Sequence, residues 1–418
     1  MISIHDDARA LTPSEWHGTI EAWLARHPVG ERVLLIPPDD TRLYSCAGAV
    51  TAWLYRRLCR EHAVFVMPAV GTHEQMSPEA CAHFFPGVPP DAFLRHDWRT
   101  DADALGVVPE AETERLTNGA LHQPIEVRLN RRLTDGSFDT LISVGQVVPH
   151  EVVGMANYTK NLLVGLGGRE TINLTHMAGA LHGIESTLGR VDTPVRAIFD
   201  YAQQRFLDSL RVVYMLTVTT EAASEALLHG LYIGYGRDTF EAAAAQSLRK
   251  NVTRLAARAR KVVAHLEPTE FKSAWVGNKA IYRTRMAIAD GGELIIIAPG
   301  LARFGESDEV DRAIRAYGYC GTEAVMRLYR SGAFPGLDMV AAHLIHGSSE
   351  GRFRTVYATD PRLLDRAAVE QAGFGWMDVR EALAVYRPEQ RETGYVEQDG
   401  DAFYFVKAPA TGLWLADS

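Results

Sequence analysis

Residues Glu31–Arg42 read ERVLLIPPDDTR, an apolar run from Arg32 to Ile36 that stops abruptly at two prolines and two aspartates. A short apolar segment closed by turn formers is a strand whose carboxyl end opens into a polar loop. CAGAVTAWLYRRLCREH follows, with alanines, Leu54 and Leu58 at helical spacing. HAVFVMPAV then gives a second strand, Gly71-Thr72-His73 a turn, and Ser77-Pro78-Glu79 the start of another helix, with Ser77 as N-cap and Pro78 at the first helical position. Strand, helix, strand, helix is the order of a mostly parallel sheet, in which the loops at the carboxyl ends of the strands collect the site residues. A third strand, DTLISVGQVV, delivers His150 just past its end. Asp39-Asp40-Thr41-Arg42, His73 and His150 therefore belong to one class of loop.

The chain has 418 residues, beyond the size at which one core usually keeps growing, so two domains are expected. Its 47% hydrophobic and 23% charged content is that of a globular protein. A net charge of -9 without a Lys/Arg block argues against nucleic acid and for a small-molecule substrate. The opening MISIHDDARALTPSEW lacks a basic and apolar leader, and runs such as LIIIAPG are too short to cross a bilayer, so a cytoplasmic protein with no membrane association is expected. The four cysteines form no CxxC pair, which fits inert thiols.

Further along, RVVYMLTVTT reads as a strand, and Thr239–Leu266, rich in Ala, Leu and Arg, as one long helix bridging into a second unit. The segment from Glu270 reads as a helix closed by Gly291-Gly292 and followed by a buried strand, Glu293–Ala298. The expected division is 1–255, 256–395 and a tail, 396–418, packing back on the first domain.

The segment His150–His176, PHEVVGMANYTKNLLVGLGGRETINLTH, sets Lys160 between two histidines, ten residues after one and sixteen before the other. Gly154, Gly165, Gly167 and Gly168 would let backbone approach a ligand. A lysine is most often a solvated cation, but a neutral amine here could bond a carbonyl or thioacid group of a cofactor. His176 is either a satisfied histidine or a metal ligand, and a metal would need further ligands from a cofactor because no zinc-type cluster is present. His73 and His150 suit acid-base work: two bases flanking one carbon are what a racemase requires. Arg42 could clamp a carboxylate or phosphate, or could be part of a solvated turn. Gly291-Gly292 and HGSSEGRF match no phosphate loop. His343 and His346, in HLIHG, read as core residues.

Together, DDTR (Asp39–Arg42), GTH (Gly71–His73), His96-Asp97, Pro149-His150, Lys160 and Thr175-His176 resemble the nickel-dependent lactate racemase family and its 2-hydroxy-acid racemase and epimerase relatives. The resemblance implies two α/β domains with the active site in the cleft between them. It also implies a nickel-pincer nucleotide, a pyridinium-3,5-bisthiocarboxylic acid mononucleotide with nickel, bound covalently at Lys160 and made by dedicated cofactor-synthesis enzymes. His176 would be the protein ligand to nickel, His73 and His150 the acid-base pair, and Arg42 and Lys279 the binders of the substrate carboxylate. Asp39 and Thr41 would shape the cofactor pocket. The implied reaction inverts C2 of a 2-hydroxy acid by hydride transfer to the pyridinium, which avoids forming a carbanion beside a carboxylate.

The chain departs from the family where it reads MANYTK, with Asn157 and Tyr158 in place of glycines, and Val164-Gly165 in place of Pro-Gly. Val276, in WVGNK, stands where a glutamine is expected. Trp275, Asn278 and Tyr158 as pocket residues would suit a substrate longer than lactate, such as a sugar acid. The competing expectations are a cofactor-free relative acting as a binding or regulatory protein and, more remotely, a zinc lyase or hydrolase.

Overall fold

The computed structural model describes residues 1–222, 225–410 and 412–416. It divides into two units, Met1–His182 with Ser186–Asn251, and Gly183–Glu185 with Val252–Ser418. Both are mixed α/β, as expected.

The first unit is built on six strands in the order Ile2–His5, Glu225–Gly234, Val212–Ala222, Thr140–Gln146, Arg32–Ile36, Ala63–Val66. The last four run parallel, and Arg32–Ile36 lies between two of them, pairing Leu34 with both Phe65 and Leu141. Its central position explains the run of four buried apolar residues, since both of its faces are covered. Helices Pro13–Leu24 and Ala47–Leu58 pack on one face, where Ile20, Trp23, Val50 and Leu54 meet Val33, Leu35, Ile142 and Val144. The Ser77 hydroxyl accepts the Ala80 N–H at 3.1 Å, and Pro78 opens the helix Pro78–Phe84, as its sequence requires. Two elements lack a sequence signal of their own: the hairpin of Ala102–Val108 with Ile125–Asn130, and the antiparallel strand Glu225–Gly234.

The second unit holds six strands in the order Gly375–Asp378, Phe353–Thr359, Ile288–Ala298, Ala259–His265, Asp401–Val406, Gly394–Gln398, all parallel except the last pair. Three expectations are corrected here. The stretch 239–266 is not one helix: the helix Arg237–Asn251 gives way to strands Val252–Leu255 and Ala259–His265. Val262, Val263 and Ala264 are fully buried between two parallel neighbours, and that packing outweighs the helix preference of the Ala and Arg residues around them. Gly291-Gly292 closes no helix either. The preceding helix is short, Lys279–Thr284, and the strand Ile288–Ala298 runs through both glycines, with Gly291 at φ +72° donating its N–H to the Arg352 carbonyl at 2.6 Å. Finally, residues 396–418 are not a tail on the first domain. They carry strands of the second unit, whose Phe403 and Phe405 pack with Val263 and Tyr386, while Leu413–Ala416 pairs with Val252–Leu255. Among the described residues no helix is long and apolar enough to cross a membrane.

Candidate functional site

Parallel pairing puts the ends of Arg32–Ile36, Ala63–Val66 and Thr140–Gln146 on one side of the first unit's sheet, so the loops carrying Asp39, His73 and His150 leave from the same edge. The bridge between Pro38 and Ala69 continues the first pairing into the loops. Asp39 is buried, and its two carboxylate oxygens are divided: Oδ1 accepts the Thr41 hydroxyl at 2.6 Å and Oδ2 accepts His73 Nδ1–H at 2.6 Å. Burial pushes the Asp39 carboxyl up, but the His73 charge and hydrogen bond, the Thr41 hydroxyl and Arg42 outweigh it and hold the group below its ordinary value. Asp40 moves the other way, raised by burial and by the charge of Asp39. With Nδ1–H committed to an ionised carboxylate, His73 keeps its lone pair on Nε2, the tautomer of a general base.

His150 is set oppositely. It is buried in a two-residue strand, Pro149–His150, paired with Gly154–Met155, and its Nδ1 accepts the Val152 N–H at 3.1 Å. A backbone N–H can only donate, so the neutral His150 ring carries its hydrogen on Nε2. Glu151 Oε2 stands 3.8 Å from the same Nδ1.

Lys160 lies on the short helix Thr159–Leu163. The next residue moors that helix to the sheet: the Asn161 side-chain amide donates to the Ile36 carbonyl at 3.0 Å and to Ser143 Oγ at 2.9 Å, spanning two neighbouring strands. A second tie runs from the Gly71 N–H to the Gly165 carbonyl at 2.9 Å, joining the His73 loop to the lysine segment. Burial, followed by repulsion from Arg42, lowers the Lys160 ammonium to about 8, against partial compensation from Glu151 and Asp39. Its amine is therefore neutral in a far larger fraction of molecules than that of a surface lysine.

The two residues before this helix adopt backbone conformations that side chains disfavour. Asn157 has φ +65° and Tyr158 φ +60° with ψ -133°, where a Cβ crowds its own backbone. Each such residue costs about 1–3 kcal/mol. Glycines would sit here without strain. Those side chains are used for packing. The Tyr158 ring lies 4.5 Å from Tyr214 and stacks on Phe240 at 5.4 Å, and Asn157 fills the space over Gly145, where an added Cβ would stand 1.9 Å from Asn157 Nδ2.

His176 lies one helix further on, in Arg169–His182. Its Nδ1–H donates to the Ile172 carbonyl at 2.7 Å, which leaves the lone pair on Nε2. Burial lowers its imidazolium to about 4, so the ring is neutral at physiological pH. A neutral imidazole with one nitrogen tied to a carbonyl and the other carrying its lone pair is the arrangement metal ligation uses. Lys160 and Glu151 both act electrostatically on His176, so the lysine and this histidine share one field. Among the described residues no three His, Cys, Asp or Glu side chains cluster as a metal site, so a metal bound here would take its other ligands from a cofactor.

Asp39, Thr41 and His73 are thus brought into direct contact, Arg42 and Lys160 are linked to Asp39 through charge, and His176 is linked to Lys160. Lys279 belongs to the other unit, at the start of Lys279–Thr284, with its ammonium 5.8 Å from the Phe271 ring centre. His96, part of the family-like pattern, is structural: buried, it donates from Nε2 to the Gly167 carbonyl at 3.2 Å and accepts Asn130 Nδ2–H at 2.9 Å. Of the three residues expected to widen the pocket, two are committed elsewhere. Tyr158 is in the core, and Asn278 is fully buried, accepting the Tyr357 hydroxyl at 2.7 Å, while Trp275 keeps partial exposure. Sequence reasoning passed over Glu151, whose position beside His150 was the available signal, and Arg196, for which the helix Pro194–Phe206 gives none.

Residues 24–189 match the family model of the lactate racemase N-terminal domain. No curated protein matches the chain. Among solved structures, a structural-genomics protein from Thermotoga maritima is similar over 99% of this chain and 100% of its own, with 23% identity and a TM-score of 0.85. The lactate racemase apoprotein from Thermoanaerobacterium thermosaccharolyticum is similar over 92% of this chain and 86% of its own, with 15% identity and a TM-score of 0.68. Both likenesses extend across the two units and show a shared fold. Residues 24–189 of this chain are thus similar to the lactate racemase N-terminal domain.

Proposed function

We propose that the protein is an isomerase that inverts C2 of a 2-hydroxy acid, lactate or a longer homologue, with a nickel-pincer nucleotide bound at Lys160. The observation that carries this reading is the complementary setting of the two histidines. His73, whose Nδ1 donates to Asp39, keeps a base lone pair on Nε2, and His150 presents Nε2 as the site of its proton, with Glu151 3.8 Å from Nδ1 to support the charged ring that acts as acid. A racemase needs one acid and one base in each direction, with the roles exchanged on reversal.

The residues fit the cofactor. Lys160, with its ammonium lowered to about 8, is suited to amide or thioamide formation, and His176 has its Nε2 lone pair oriented by the Ile172 carbonyl. When bound, such a group supplies a hydride acceptor, so that C2 is never deprotonated beside a carboxylate. The chain's own part is proton transfer and charge. His73 Nε2 takes the proton of the 2-hydroxyl, with the Asp39 carboxylate stabilising the imidazolium that results, and a His150 imidazolium, its charge supported by Glu151 3.8 Å from Nδ1, returns a proton from Nε2 and is left neutral. Arg42 and Lys279 are the cations for the carboxylate.

The test is intact mass of protein co-produced with cofactor-synthesis enzymes, with nickel measured on the same sample. The expected result is an adduct on Lys160 with about one nickel per chain, lost in Lys160→Ala, and racemisation of a 2-hydroxy acid. An unmodified mass with no nickel would overturn the proposal in favour of a binding or regulatory protein.

A further inference from the structure

The strained pair before Lys160 is held from behind by one side chain. Arg196 is fully buried at the start of the helix Pro194–Phe206, whose N-cap Thr193 accepts the Arg196 N–H. Its guanidinium reaches back into the tether loop. Nη2–H donates to the Met155 carbonyl at 2.7 Å and to the Asn157 carbonyl at 3.3 Å, while Nη1–H donates to the Thr159 hydroxyl at 2.7 Å and to the Asn157 carbonyl at 3.4 Å. Its plane lies against Phe240, 4.4 Å from the ring centre, on the same aromatic group that buries Tyr158. One rigid fork therefore meets every second residue, 155, 157 and 159, across the segment in which φ turns positive.

We infer that Arg196 is a positioning residue for Lys160, holding the Asn157-Tyr158 turn in the left-handed conformation that starts the lysine's helix. This rests on the reading of Lys160 as the cofactor tether. In that turn the Met155 and Asn157 carbonyls point into the protein, away from the strand and helix partners they would otherwise find, and a buried carbonyl needs a donor. Two carbonyls and a hydroxyl divided between two Nη groups suit the fork of a guanidinium and not an ammonium, whose three hydrogens diverge from a point. The non-glycine residues give the clamp its purpose. A glycine pair reaches positive φ without strain, whereas Asn157 and Tyr158 relax toward negative φ unless something opposes them. Relaxation would rotate the first turn of Thr159–Leu163 and carry Lys160 off its line.

The experiment uses the full chain in two arms. In the first, backbone hydrogen exchange of the cofactor-free protein is followed over residues 155–163 in wild type, Arg196→Met and Arg196→Lys. Arg196→Met is expected to speed exchange there by about tenfold or more, with the strands of the first unit unchanged and Arg196→Lys in between. Unchanged protection over 155–163 would overturn the inference. Should Arg196→Met loosen the whole unit, Arg196→Gly with added propylguanidinium decides, since Arg196 lines a cavity of about 480 Å³ through which the small cation can enter. Protection recovered at 155–163 supports the clamp, and no recovery there overturns it. In the second arm, Arg196→Met is expected to lower the fraction of chains carrying the Lys160 adduct, with recovery in Arg196→Lys, and an unchanged fraction would overturn the inference. A wild-type chain that never forms the adduct defeats the tether reading, while the exchange arm still decides the clamp.

Discussion

The two units are built on similar six-stranded, largely parallel sheets, yet the histidines singled out in each are held differently. In the second unit both ring nitrogens of His343 are engaged: Nε2 by the Tyr319 hydroxyl at 2.8 Å and Nδ1 by the Tyr282 hydroxyl at 3.1 Å. The ring stacks on Trp275 at 4.1 Å, and Asn278 links the group to Tyr357. In the first unit His73, His150 and His176 each have Nδ1 fixed, which sets the tautomer of the neutral ring. His343, like His96 of the first unit, is held at both nitrogens and serves the fold, whereas the Nδ1 bond orients the rings of His73 and His176. The difference extends to strain, since the lysine loop pairs two positive-φ residues with a lysine whose charge is disfavoured, and His343 lies in none of the positive-φ segments.

If this contrast is right, substitutions in the two regions should separate activity from stability. The largest effect is expected for His73→Ala and His150→Ala, each lowering turnover by about 10²–10⁴-fold while the Lys160 adduct persists in the intact mass. A variant that keeps more than a tenth of wild-type turnover would remove that histidine from the acid-base pair. His343→Phe should lower stability by about 2–4 kcal/mol in urea unfolding, because two buried tyrosine hydroxyls lose their partner, and should leave the adduct intact. Lys160→Met should do the reverse, abolishing the adduct and raising the stability of the cofactor-free chain at pH 7 by up to about 3 kcal/mol. The sign follows from proton uptake. The folded lysine titrates near 8 and the unfolded one near 10.5, so between these values the unfolded chain binds the extra proton, and wild-type stability rises with pH. The advantage of the methionine variant should shrink as pH rises through that window, and a constant difference would contradict it. Smallest of all, Asn157→Gly should change stability by less than about 1 kcal/mol, relief of positive φ offsetting the lost packing over Gly145 and the added freedom of the unfolded chain.

The sequence carried the edge of the sheet that matters most, and physical reasons explain what it hid. Strand Arg32–Ile36 and the cap at Ser77 were legible because an apolar run ending in prolines, and a Ser-Pro-Glu helix start, are local signals. The grouping of Asp39, His73 and His150 followed from parallel order alone, and Asp39 with His73 proves to be a direct contact. The hairpin Ala102–Val108 with Ile125–Asn130 was silent because its partners are separated by a helix and its exposed positions break the alternation. In the stretch 239–266, local helix preference pointed one way and burial between parallel strands the other, and burial prevailed. Trp275, Asn278 and Tyr158 were read as pocket residues from family positions. Which way a side chain points is decided by partners distant in sequence, and Tyr214, Phe240 and Tyr357 claim two of the three. Arg196 was invisible for the same reason, since its partners lie some forty residues upstream.

The mooring of the lysine helix has an evolutionary consequence. Asn161 and Ser143 form a buried donor and acceptor joining elements eighteen residues apart, and neither can be replaced alone by an apolar residue without stranding the other in the interior. Among relatives of this chain the two positions should therefore change together, so that a lineage lacking the asparagine also lacks the serine.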